Sequence, residues 1–162
     1  MRISIVRPTG AKSALMIGLA ACGTDDNGDD EEVVDCSKVT DVDTFVVGLE
    51  HAGDKGTYNF RFISGTPAPP QRGPENTWVV QINSMNAGVV GAPVDGVTMK
   101  VTPFMPKHMH GSGVPVEIMP LAEPGQYQLS TINLWMQGVW EITMRATVDP
   151  STDSTVFSFC IP

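Results

Sequence analysis

The chain has 162 residues, 18 of them acidic and 10 basic, for a formal net charge of −8, with three cysteines and 41% hydrophobic residues. That length suits a single domain with a sizeable core. The acidic balance argues against nucleic acid or anionic lipid headgroups as partners, because phosphate binding needs clustered Lys and Arg.

The first residues carry Arg2, Arg7 and Lys12, then an apolar run over 14–21, then Cys22. This is the layout of a secretory signal over 1–21, and its apolar run is too short to span a bilayer. Leu19-Ala20-Ala21-Cys22 resembles the lipobox of bacterial lipoproteins, so Cys22 is the expected lipidation site. The plainer alternative is secretion with a cut near Ala21 and a free thiol at Cys22. With Gly23 rather than Asp after the cysteine, a lipoprotein of a Gram-negative host is expected on the outer membrane, facing the periplasm, held there by its acyl chains. Residues 22–35 hold Asp25, Asp26, Asp29, Asp30, Glu31, Glu32 and Asp35. Such a run repels itself and buries no apolar surface, so it reads as an acidic flexible tether; a cation trap is the sharper alternative. Removing Arg2, Arg7 and Lys12 from the 10 basic residues leaves seven against 18 acidic, a net charge of −11.

Export places Cys36 and Cys160 in an oxidising compartment, where two thiols in a small domain favour a disulfide. That bridge would tie the first strand to the last and contribute about 4 to 5 kcal/mol through loop closure.

The domain, 36–162, shows no repeat and no sustained helical period; apolar residues alternate instead. Phe45, Val47 and Leu49 share one parity, as do Tyr58, Phe60 and Phe62, then Trp78, Val80 and Ile82, then Val97, Met99 and Val101. Val114, Val116 and Ile118 follow, then Trp140, Ile142, Met144, Ala146 and Val148, and last Phe157 and Phe159. These are half-buried strands. Between Tyr127-Leu129 and Ile132-Leu134 the parity slips, which predicts a β-bulge near Ser130 or Thr131. The fold class is all-β: an antiparallel, immunoglobulin-like, two-sheet β-sandwich of seven or eight strands, with a barrel as the alternative.

One segment carries chemistry. Met105-Pro106-Lys107-His108-Met109-His110 runs into Gly111-Ser112-Gly113, a loop composition. Thioether sulfur is a soft donor that favours Cu(I), imidazole suits Cu(I) and Cu(II), and no carboxylate lies close in sequence, so the mixture selects copper. Against this, methionine is above all a core filler, and Met99, Met119 and Met144 read that way. Counting strands along an antiparallel meander brings the turn Trp135-Met136-Gln137-Gly138 and the Pro-rich loop 65–77 to the same end as 105–113. His51 falls at the far end and is excluded. The candidate ligands are His108, His110 and Met136 with Met105 or Met109.

The runs Pro103-Phe104-Met105-Pro106-Lys107-His108-Met109-His110-Gly111, Gly125-Gln126-Tyr127 and Met136-Gln137-Gly138-Val139-Trp140-Glu141 resemble the YtkA-like family, related to FixH proteins. Pro67-Ala68-Pro69-Pro70, Gly73 and Asn76-Thr77-Trp78 look like its lipoprotein members. The resemblance covers about 42–148. It implies a sandwich outside the membrane, a link to copper handling or copper-oxidase assembly, and Met105, His108, His110 and Met136 as ligands.

The expected function is that of a lipid-anchored copper-binding protein of the cell envelope, a chaperone or buffer passing copper to a receiving protein or oxidase. The alternative is a non-metal interaction module docking a membrane partner. No Gly-x-Ser-x-Gly, His-Glu-x-x-His or phosphate-loop element is present, so no enzyme is expected.

Overall fold

A computed structural model describes residues 33–162. The expected signal sequence 1–21, the expected lipidation site Cys22 and all but the last residues of the expected acidic tether lie outside that range.

Ten strands follow a short 3-10 turn at Cys36–Lys38: β1 Glu50–Ala52, β2 Tyr58–Thr66, β3 Gly73–Asn86, β4 Val89–Pro93, β5 Thr98–Met105, β6 His110–Gly111, β7 Glu117–Pro120, β8 Gln126–Leu134, β9 Gly138–Val148 and β10 Ser151–Ile161. They form two antiparallel sheets. One has the order β1-β2-β3-β8-β7, with β4 paired to β3; the other has the order β10-β9-β5-β6. The alternation in sequence sets the inward faces. Phe60, Phe62 and Trp78 of the first sheet meet Trp140, Phe157 and Phe159 of the second in one buried core. Phe62 lies edge-on to Trp78 at 5.4 Å and to Phe157 at 4.8 Å, the arrangement that aromatic quadrupoles favour.

The two-sheet sandwich is the expected fold, and the predicted bulge is present. Ile132 pairs with Asn76 and Leu129 with Trp78, so β8 holds one residue more than β3 over that step, and Thr131 sits at φ 59.

Other expectations change. The described residues form ten strands, because β1, β4 and β6 join seven of the eight predicted segments. Segment 45–49 is not a strand: Leu49 N–H donates to Val46 O at 3.0 Å and Gly48 takes φ 90, so the chain turns. Phe45 still reaches the core, 5.1 Å from Phe62, while Val47 is 70% exposed. Gly65 makes this approach possible, since a Cβ there would lie 2.3 Å from the Phe45 ring. Strand β7 begins at Glu117 rather than near Val114 because Gly113, at φ 71, and the Ser112 hydroxyl, donating to Val114 O, hold a turn before it.

The connectivity is also not a meander. The chain leaves β5, passes through β6 and crosses to β7 in the other sheet; β7 and β8 form a hairpin; 135–137 then crosses back to β9. Cys36 and Cys160 form the expected disulfide, with Cα atoms 5.6 Å apart. Cys36 lies in the 3-10 turn, capped by the Asp35 carboxylate, so the bridge fastens a coil rather than a first strand to β10.

Asp153, buried in β10, braces the end of the sandwich opposite Cys160. Its Oδ1 accepts the backbone N–H of Lys55 and Ser154, and its Oδ2 those of Thr57 and Tyr58, at 2.8 to 3.1 Å. Gly53 leaves the room, since a Cβ there would sit 2.3 Å from the carboxylate. Burial alone pushes this carboxyl up, but the four N–H donors favour the charged form and together hold its pKa below the usual carboxylate range. With the folded pKa below the unfolded one, near 3.9, the stabilisation is complete above about pH 4 and lost as pH falls through the folded value. Asp153→Asn is expected to cost about 2 to 3 kcal/mol at pH 7. It should also flatten the loss of stability below pH 4, read by urea unfolding across pH; an unchanged acid limb would contradict the brace.

Candidate metal centre

The tip of the sandwich is built from two connections. After β5, Pro106–His108 form a 3-10 turn with Pro at its start, and Met109 takes the left-handed conformation at φ 56. That turns the chain back so that His110 pairs with Met105 and Gly111 with Phe104. The crossing 135–137 comes from the other sheet. Its bend is held by the Trp140 indole N–H, which donates to Met136 O at 2.9 Å.

The two connections meet. The His108 and His110 ring centres are 5.8 Å apart. A metal about 2.0 Å from one nitrogen of each ring places the ring centres no more than about 6 Å apart, and the separation of this pair lies within that limit. His110 stacks on Trp135 at 5.0 Å with an interplanar angle of 17°, and meets Trp140 edge-on at 6.1 Å. Its Nδ1 lies 3.1 Å from Gly111 O. A carbonyl only accepts, so Nδ1 carries the proton and Nε2 keeps its lone pair for a ligand, the arrangement that orients metal-binding histidines.

The methionines divide. Met105 is fully buried. Its methyl fills the space over Gly138, where a Cβ would lie 2.5 Å from Met105 Cε. It is a core residue that joins the two connections: its direct cross-strand neighbour is His110, and its sulfur would have to leave the interior to bind an ion. Met109 projects into solvent, 77% exposed. Met136 is half-buried against the core, beside the Trp135–His110 stack in sequence. Soft donors at the tip surface are therefore His108, His110, Met136 and Met109.

Among the described residues no group of three or more His, Cys, Asp and Glu could hold a metal ion. A metal here would rest on the imidazole pair completed by thioether sulfur, a donor set that suits copper and serves hard cations poorly. His51 stays out of the tip, as expected: it is held between Asp43 Oδ1 and Val156 O, both at 3.0 Å, and stacks on Phe157. A groove of about 410 Å³ between β5 and the approach to β7 is lined by Met99, Val101, Pro103, Val114 and Ile118, and by neither tip histidine.

Three features were missed from sequence. Trp135 covers one face of His110; an aromatic residue placed in a turn next to a proposed ligand was the signal. Asn76, buried, ties the Pro-rich loop to the bulge: its Oδ1 accepts Gln71 N–H, and its Nδ2 lies within hydrogen-bonding distance of the Gln71, Gly73 and Ile132 carbonyls. Val34 N–H donates to the Gln137 side chain at 3.2 Å, so the chain enters the domain beside the tip.

The fold and this tip define an all-β sandwich domain with two neighbouring imidazoles at one end, that of His110 packed against aromatic side chains. The profile of the YtkA-like family matches residues 54–145, more than half of the chain, and the protein belongs to that family. No curated protein and no solved structure matches it.

Gly138 carries a prediction. At φ 122, and with Met105 against it, Gly138→Ala is expected to cost about 1 to 3 kcal/mol, measured as a lower urea midpoint with unchanged slope. An unchanged midpoint would contradict the packing that joins the two connections.

Proposed function

We propose that this protein is an exported, lipid-anchored copper carrier of the cell envelope, a chaperone or buffer that takes up copper at its tip and passes it on by ligand exchange. The observation that supports this most is the imidazole pair, 5.8 Å apart, with the Nε2 of His110 left free by the bond from Nδ1 to Gly111 O. His108 and His110 would hold the ion, with Met136 or Met109 supplying sulfur. The ion is cargo and no reaction is catalysed. A site on an exposed turn of a rigid scaffold lets an incoming ligand approach, as transfer to a receiving protein or oxidase requires. Export and the anchor rest on the sequence: the signal at 1–21, Cys22 as the lipidation site, and the outer membrane facing the periplasm as the location. The disulfide between Cys36 and Cys160 agrees with an oxidising compartment.

A second reading, a docking module for a membrane partner, draws on the exposure of Met109 and Trp135 at the same tip. Titration of the protein with Cu(I) and Cu(II) separates the two. The double variant His108→Ala/His110→Ala is expected to lose copper binding while the domain stays folded, its unfolding free energy lowered by no more than about 2 kcal/mol, because His108 is exposed and His110 gives up only its aromatic contacts and one hydrogen bond. Copper affinity unchanged in the double variant would refute the site.

A further inference from the structure

Trp135 is a large apolar side chain on an exposed turn, and it packs on an imidazole. The indole is 46% exposed and lies nearly parallel to the His110 ring, 5.0 Å away. Trp140 presents its edge to the same ring, and the Nδ1 of His110 is tied to Gly111 O. The imidazole is thus fixed by one hydrogen bond and two aromatic surfaces, an expensive arrangement for a solvent-facing histidine unless the position of its remaining nitrogen matters.

The two oxidation states of copper ask for different surroundings. Cu(II) prefers tetragonal nitrogen and oxygen coordination, whereas Cu(I) is satisfied by few, soft donors. Two imidazoles supply nitrogen here, and among the described residues no third His, Cys, Asp or Glu joins them as a group. Cu(II) would have to complete its coordination with water. The indole of Trp135 covers one face of the His110 ring and keeps water from that face, and the negative face of an aromatic ring attracts a cation.

We propose that Trp135 makes the tip selective for Cu(I) over Cu(II), as a positioning and shielding residue that holds His110 and closes one side of the site to water. The proposal rests on the copper reading above. It extends it by naming the oxidation state and the side chain that selects it.

The test measures Cu(I) affinity by competition with a chromophoric Cu(I) chelator, and Cu(II) affinity with a Cu(II) chelator, in the purified full chain and in Trp135→Phe and Trp135→Leu. The parent is expected to prefer Cu(I). Leu at this position should weaken Cu(I) binding about tenfold and change Cu(II) binding less than about threefold, while Phe, which keeps a ring face, stays within about threefold of the parent for both ions. Cu(I) should quench tryptophan emission in the parent and much less in Trp135→Phe. Equal losses for both ions in Trp135→Leu, or full Cu(I) affinity in that variant, would overturn the selectivity while leaving a copper site standing. A parent that takes up neither ion would remove the copper reading and this inference with it.

Discussion

Met105 and Gly138 come from different connections, and the contact between them decides where the tip lies. A side chain at Gly138 would fall 2.5 Å from the Met105 methyl, so the crossing from β8 to β9 rests directly on the end of β5. His110 pairs with Met105 across the narrow ladder that follows. Trp135 and Trp140 flank the same crossing and therefore reach the His110 ring. The ladder between β5 and β9, Phe104 against Glu141 at its end, brings the two connections to the same end of the sandwich.

The rest of the domain holds that contact still. Two sheets close on an aromatic core, the disulfide fastens the entering chain to β10, and Asn76 binds the Pro-rich loop to the bulge in β8. Asp153 does comparable work at the other end, with four backbone donors on one carboxylate. On the proposed copper reading, a tip held in this way would keep its donors in place and lower the ordering cost of binding. Its exposure leaves room for a receiving ligand.

How much of this was legible in the sequence depended on the kind of interaction. Alternating apolar residues announced most of the strands and the bulge at Thr131, because burial on one face imposes a period of two. The segment around Phe45 misled for the same reason: two of its apolar residues do reach the core, but from a turn held by Gly48 and the Val46 carbonyl. The tip histidines were visible as a cluster, and counting strands placed 135–138 at their end even though the assumed meander was wrong, since the crossings from β6 to β7 and from β8 to β9 both happen at that end. The full burial of Met105 and the stacking of Trp135 on His110 were not legible. Both depend on which way a side chain turns in an irregular loop, and no periodicity records that.

The central claim is that nitrogen and sulfur from two connections share one ion at the tip. X-ray absorption at the copper edge of the Cu(I)-loaded protein reports those neighbours directly. The account predicts imidazole scattering together with a sulfur shell. A shell of nitrogen and oxygen alone, without sulfur, would contradict it.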